Sequence, residues 1–270
     1  MSTDSTPATT PDRLRPLRYL WRVPLLLAHI VLGILLAMIV TWNRFAVMRN
    51  GREPFTHRLI RWWSRMLLRI FGMRSVRIGQ PLPDAVLFVA NHTSWIDIVM
   101  LHSQRAACFV AKSEIARWPL VGWMADCAGT IFHRRGNNHS LSSVMQVMVE
   151  RLRGGRSVAV FPEGGSGYNG VLKVFHARIF QAALDADVPV QPVALRFARN
   201  GVRIIDAGFR VNESFVHNIL RLLGEAPLDA EVHFLAAVPA SPDARRRMAE
   251  LSRERIDTAL GGAAVSKAAA

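Results

Sequence analysis

From Val76 onward, short apolar runs alternate with longer amphipathic stretches. The runs at 85–90, 107–110, 157–161 and 190–195 are four to six residues long and predict buried strands. Between them, 98–103, 140–153 and 174–185 predict helices. Residues 201–209 and 230–238 predict further strands, and 243–260 a charged helix. This alternation argues an α/β fold with a mostly parallel sheet flanked by helices. No internal repeat is visible.

The pattern upstream is different. Residues 23–42 form a 20-residue stretch without charge, His29 being its only titratable group. That is about the length that crosses a bilayer. The run is too long for a signal-peptide core, and Trp42-Asn43-Arg44 is no small-residue cleavage site. In 56–71, Arg58, Arg61, Arg65 and Arg69 recur every three or four residues, so they share one helical face. Leu59, Trp62, Trp63, Met66, Leu67, Ile70 and Phe71 cover much of the remainder, which suits a lipid interface. The expected organisation is a disordered basic N-terminus over 1–22 and a pair of membrane-anchoring helices over 23–75. The α/β domain follows over 76–260, with a disordered tail over 261–270.

Charge sharpens this division. The 270 residues carry a formal net charge of +14, unevenly spread: 1–80 hold 13 Arg against three acids, and 81–270 hold 21 Lys and Arg against 17 acids. The basic excess implies anionic partners, a membrane surface or nucleic acid. The apolar 20-mer beside it favours membrane lipid. No nucleic-acid motif accompanies the charge, and two Tyr leave little for base stacking. Seven Arg between 44 and 69 favour a cytoplasmic catalytic part, at the inner membrane surface. Four Arg before the apolar stretch draw the N-terminus to the same side, so a full span and a dip into one leaflet both remain open. Cys108 and Cys127 lack metal-ligand spacing and suggest inert thiols.

The chemistry concentrates in Asn91-His92-Thr93-Ser94-Trp95-Ile96-Asp97, where a predicted strand hands over to a predicted helix. Histidine is suited to take a proton near neutral pH, and an adjacent aspartate can fix its tautomer. Residues five apart lie about 140° around one helix, so His92 and Asp97 meet only if His92 sits on the turn and Asp97 in the first helical turn. Ser94-x-x-Asp97 fits a capping pattern that starts the helix there. It equally fits a plain cap with no catalysis. Three other stretches stand out. Gly129 to Gly136 runs into the pair Arg134-Arg135, arginine being a natural clamp for phosphate or carboxylate. Phe161-Pro162-Glu163-Gly164-Gly165-Ser166-Gly167 closes a strand with a carboxylate and glycines that let backbone N–H groups approach a ligand. It lacks the last glycine of a serine-hydrolase elbow, Tyr168 standing there. Val188-Pro189-Val190-Gln191-Pro192-Val193 begins a strand between prolines.

Taken in this order, these four stretches resemble the blocks of the glycerolipid acyltransferase family, the 1-acylglycerol-3-phosphate acyltransferases and their relatives. Asn91-His92 to Asp97 is similar to the NHxxxxD block, Gly129 to Arg135 to the second, Phe161-Pro162-Glu163-Gly164 to the FPEG block, and Val188 to Val193 to the fourth. Ala111-Lys112-Ser113-Glu114 resembles the family's approach to its second block. The resemblance covers about 76–200. It implies an enzyme that moves a fatty acyl group from an acyl thioester, acyl-CoA or acyl carrier protein, to the hydroxyl of a lysolipid. No cofactor, metal or nucleic acid is implied. His92 and Asp97 would be catalytic. Arg135, Glu163, Gly164 and Gly165 would bind the acceptor, with amides near Gly164 and Gly165 also available to an oxyanion. Asn91, Ser94, Lys112 and Pro192 would be supporting. The first acceptor implied is 1-acyl-sn-glycerol-3-phosphate, giving phosphatidic acid. The chain departs from the usual EGTRS continuation, with Gly165 and Ser166 at the threonine and arginine positions. That substitution removes a cation and raises lyso-ornithine lipid or another lysophospholipid as the alternative. A non-catalytic basic membrane- or nucleic-acid-binding protein is the rival of a different class.

Overall fold

A computed structural model describes residues 12–42, 54–133, 138–167, 170–238 and 245–261. Two long helices come first, α1 (Arg15–Trp42) and α2 (Phe55–Ile70). The remainder alternates strands and helices: β1 (Met73–Ile78), β2 (Leu87–Ala90), α3 (Ile96–Gln104), β3 (Cys108–Lys112), α4 (Val121–Cys127), β4 (Ile131–His133), α5 (Asn138–Arg153), β5 (Val158–Val160), α6 (Gln181–Ala186), β6 (Val190–Arg199), β7 (Val202–Arg203), α7 (Phe215–Gly224), β8 (Leu228–Phe234) and α8 (Arg245–Ala259).

The strands form one sheet in the order β1-β8-β6-β2-β5-β3-β4, with β7 beside β6. Only β6 with β8 and β6 with β7 pair antiparallel; every other neighbour is parallel, as the alternation predicted. The central strands read as unbroken apolar runs because both their faces are buried. Along β2, Phe88 and Ala90 enter the core shared with α2 and α3, while Leu87 and Val89 enter the core on the opposite face, with α5, α6 and α8.

Several expected elements differ. Residues 174–185 are not one helix: a 3₁₀ turn (Ala177–Phe180) precedes the short α6. The His176 N–H donates to Pro162 O at 2.9 Å, pinning the chain before it to the turn after β5. Of 201–209 only β7 is strand. Asn200 (φ 52°) and Gly201 (φ 80°) make a tight turn into it, and beyond it the chain turns away to place Phe209 N on Thr93 O at 3.0 Å.

The expected disorder over 1–22 ends early, since α1 begins at Arg15. Its polar side chains have partners in the folded domain. The Arg22 guanidinium donates to Leu223 O (2.9 Å) and Glu225 O (2.8 Å), Arg18 to Gly224 O (2.9 Å), and the Tyr19 hydroxyl to Leu220 O (2.8 Å). Leu223 O and Gly224 O are carbonyls that the last turn of α7 leaves without helical partners. Arg22 lies over Gly72, where a Cβ would collide with the guanidinium. Gly33 is equally tight: a Cβ there would stand 2.6 Å from the Trp63 indole nitrogen and 2.9 Å from Met124 Cε, so glycine lets α1 close on α2 and α4. His29 stacks on Trp63 at 4.8 Å.

The reading of α2 also changes. Its apolar residues Leu67, Leu68 and Ile70 face the protein core, packed on α3, and not lipid. Phe55 and Trp62 are its exposed apolar side chains, beside the arginine face.

Candidate active site

β2 lies between β5 and β6 and runs parallel to both. The chain leaves β2 toward the β5 side, so the carboxyl end of β2 is a switch point where open α/β sheets bind ligands. His92 follows β2, and Glu163 follows β5 at its side.

Asp97 and His92 do meet, in the way their spacing required. Asp97 lies in the first turn of α3 and is completely buried. Its Oδ2 stands 3.1 Å from His92 Nδ1 and accepts the backbone N–H groups of Thr93 (2.6 Å) and Ser94 (2.8 Å). The Thr93 hydroxyl adds a longer contact to Oδ1 at 3.3 Å. Only half of the expected capping pattern forms. Asp97 reaches back to the Ser94 N–H, but Ser94 Oγ accepts no helix N–H: it donates to Asn218, and the Asp97 N–H goes to Ser94 O at 3.1 Å. With Nδ1 held by the carboxylate, Nε2 is the ring nitrogen left for a substrate, the arrangement in which a carboxylate orients a general base. Phe161 stacks on the imidazole at 4.0 Å and 15°, fixing the ring plane.

Asn91 acts as a peptide mimic at the end of β2. Its Nδ2 donates to Leu195 O (2.9 Å) and its Oδ1 accepts from Leu195 N (2.8 Å), extending the ladder to β6 by one buried pair. Pro192 sits in β6 opposite Val89, one residue before β8 joins at Val193. Lys112 ends β3 opposite His133 of β4.

Glu163 has a bracing task that its motif alone does not reveal. It is 6% exposed, and its carboxylate accepts His92 N (2.8 Å, Oε1) and Lys173 N (3.0 Å, Oε2). Burial pushes its carboxyl above the usual range, against the pull of those two amides. With each oxygen accepting a backbone amide of the site, Glu163 braces the histidine turn. The neighbouring glycines keep two turns close: Gly167 N donates to His92 O at 2.6 Å, and a Cβ on Gly167 would stand 3.1 Å from Val171 O. Gly164 (φ 71°) gives its N–H to Phe161 O at 3.3 Å, and the Gly165 N–H shows no backbone partner among the described residues. Arg135 lies outside the described residues.

Sequence reasoning missed several members. The Lys173 ammonium lies 2.7 Å from Ser166 O, so a cation does stand at this loop despite the glycine and serine in the motif. It comes from seven residues downstream, where no pattern marks it. The His176 ring lies 3.0 Å from where a Cβ on Gly164 would be. Behind the catalytic turn, Asn218 receives Ser94 and Trp95, and the Arg221–Glu213 pair (2.7 Å) backs Asn218. The Arg221 hydrogen bond holds the Glu213 carboxyl down to about 2. An aromatic residue directly before Pro-Glu-Gly was the one available signal, for Phe161; α7 carried none.

Comparison with known proteins accords with this geometry. A family model described as acyltransferase matches residues 74–196. A lyso-ornithine lipid O-acyltransferase of Pseudomonas aeruginosa is 34% identical over 92% of this chain and 95% of its own length. One of Brucella abortus is 28% identical over 91% and 96%. A 1-acyl-sn-glycerol-3-phosphate acyltransferase of Neisseria gonorrhoeae is 37% identical, over 45% of this chain and 49% of its own. The crystal structure of the 1-acyl-sn-glycerophosphate acyltransferase of Thermotoga maritima shares the fold, with TM-score 0.68 and 17% identity over 92% of this chain and 96% of that one.

Proposed function

The chain belongs to the acyltransferase family, and on that premise we propose that it is a membrane-associated lysolipid O-acyltransferase whose acceptor is lyso-ornithine lipid. The observation that carries the chemistry is the 3.1 Å contact of His92 Nδ1 with buried Asp97. His92 Nε2 takes the proton of the acceptor hydroxyl as its oxygen attacks the thioester carbonyl. The new C–O bond forms, and the tetrahedral oxyanion lies near the Gly165 amide. The C–S bond then breaks, and the proton on Nε2 passes to the leaving thiolate. Asp97 keeps the imidazole in the reactive tautomer and stabilises its charged form. The thioester of acyl-CoA or acyl carrier protein supplies an activated acyl group, so the reaction calls for no cofactor. Arg135 is assigned to the polar head of the acceptor.

The acceptor rests on length of relationship. Two relatives named for lyso-ornithine lipid align with more than nine-tenths of the chain, and two more with 72% and 56%, whereas the gonococcal glycerophosphate enzyme aligns with under half. The replacement of the usual threonine and arginine by Gly165 and Ser166 does not choose between the acceptors, because the Lys173 ammonium stands at the same loop. The test supplies labelled acyl-CoA and acyl carrier protein to membranes holding the protein, with a panel of lysolipids. Product from lyso-ornithine lipid at rates at least tenfold above lysophosphatidate is expected. Preference for lysophosphatidate would overturn the acceptor, and no transfer from either donor to any lysolipid would overturn the enzyme.

We further propose that α1 seats the protein in one leaflet, on the cytoplasmic side. Among the described residues it is the one helix long and apolar enough to cross a membrane. Yet its contacts with the folded domain run from Arg15, beside Gly224, to Gly33, about 27 Å of helix at 1.5 Å per residue. The nine residues after Gly33 would add about 13 Å, against a hydrocarbon core of about 30 Å. Exposed Leu20, Trp21, Leu27, Val31 and Leu35 lie on the face turned from the domain and would meet lipid. Epitope tags at the two ends of the chain should be digested together in inside-out vesicles and protected together in right-side-out ones. Opposite sidedness would establish a span.

A further inference from the structure

The catalytic turn is held from behind by a buried polar cluster that the acyl-transfer step does not use. Ser94 and Trp95, the residues between the histidine and α3, donate to a single atom. Ser94 Oγ reaches Asn218 Oδ1 at 3.2 Å, and Trp95 Nε1 reaches the same oxygen at 2.9 Å. The other end of that amide, Nδ2, donates to Glu213 Oε2 at 2.9 Å and more loosely to Gly208 O at 3.3 Å. Asn218 is completely buried, and its two accepted and two donated bonds use the full capacity of an amide. Beyond it, Arg221 meets Glu213 with Nε (2.7 Å) and Nη2 (2.8 Å) and reaches Asp206 O and Gly208 O, both at 2.6 Å. A network with every member satisfied permits one arrangement and penalises others.

We infer that Asn218 is a positioning residue for acyl transfer: from α7 it fixes the Thr93–Trp95 turn whose two amides hold the Asp97 carboxylate against His92. The inference rests on the His92–Asp97 reading above. Asp97 Oδ2 has three close donors and a longer one from the Thr93 hydroxyl, and two of the close ones are backbone N–H groups of this turn. If the turn relaxes, those amides move with it, the carboxylate loses its seat, and the imidazole follows. Misplacement of a catalytic group by about 1 Å costs on the order of 10²-fold. The loss belongs in kcat, because Asn218 lies behind the turn and touches no substrate.

The test uses the full chain in lipid nanodiscs with a labelled acyl donor and its best lysolipid acceptor. Asn218→Ala should lower kcat by roughly 10- to 100-fold with donor KM within about twofold. Ser94→Ala and Trp95→Phe, each deleting one donor to Oδ1, should lower kcat by smaller factors. Asn218→Asp keeps the accepting oxygen but sets a carboxyl against Glu213, with Arg221 beside it and Asp97 on the far side of the turn. Burial beside a carboxylate favours its protonated form, which restores a donor to Glu213. Its activity relative to the unaltered protein should therefore rise from pH 8 to pH 5.5. A merely structural role predicts kcat losses that track loss of thermal stability, with no relative rise at low pH, and that result overturns the inference. If Asn218→Ala does not fold, unchanged kcat in both Ser94→Ala and Trp95→Phe overturns it as well. An inactive unaltered protein would instead overturn the enzyme reading on which the inference stands.

Discussion

Replacement of His92 by Ala should abolish acyl transfer. Nε2 is the only nitrogen of the dyad free to take the acceptor proton, since Nδ1 is held 3.1 Å from Asp97. Loss of a general base alone costs about 10²–10⁴-fold. The larger figure is expected here, because the same imidazole returns the proton to the leaving thiolate. The ring also packs on Phe161 at 4.0 Å, so Ala removes a packing partner as well as a base. His92→Gln separates the two effects: it keeps much of the volume and no basicity at neutral pH. Both variants should be inactive in the labelled-donor assay, with His92→Gln closer to the parent in thermal stability. Retention of a tenth or more of parental kcat by either would remove His92 from the chemistry.

The second large effect is expected for Asp97→Asn. The side-chain oxygen of Asn can occupy the Oδ2 position and still accept from Thr93 N, Ser94 N and His92 Nδ1. The substitution therefore preserves the local geometry and removes the charge. A residue that served only to cap α3 would be replaced almost without loss, Asn and Asp being comparable caps. A residue that stabilises the developing imidazolium would not. The expected result is a kcat lowered by about 10²–10⁴-fold, with a folded protein of modestly reduced melting temperature as three charge-assisted hydrogen bonds become neutral. Near-parental kcat would reduce Asp97 to a helix cap and dissolve the dyad.

What could be read in the sequence was local. The strands of the central sheet were visible because burial on both faces leaves unbroken apolar runs. His92 and Asp97 could be paired because five residues bridge a turn and the first turn of a helix. The bracing role of Glu163 was not legible because a carboxylate at a strand end has the same spelling whether or not it accepts backbone amides; that depends on the approach of His92 N and Lys173 N. Lys173, Asn218 and Arg221 were invisible for a related reason: each reaches the site through the fold, from segments with no distinctive pattern. The apolar face of α2 was assigned to lipid because amphipathicity reports that a face is buried, not what buries it.

The arginines of α1 have a consequence for the order in which the protein matures. Arg22 and its carbonyl partner on Leu223 are 201 positions apart, so α1 is clasped by an element made long after it. At translation rates of about 5–20 residues per second, roughly 10 to 40 s separate them. The nascent apolar helix can reach the bilayer long before the residues that brace the catalytic turn exist. Folding of the site is thus a late, long-range closure, slowed by the entropy of a loop of that size. A chain that has not reached the bilayer carries an uncovered hydrophobic helix, its exposed Leu20, Leu27 and Val31 a mark by which proteolysis selects what to remove.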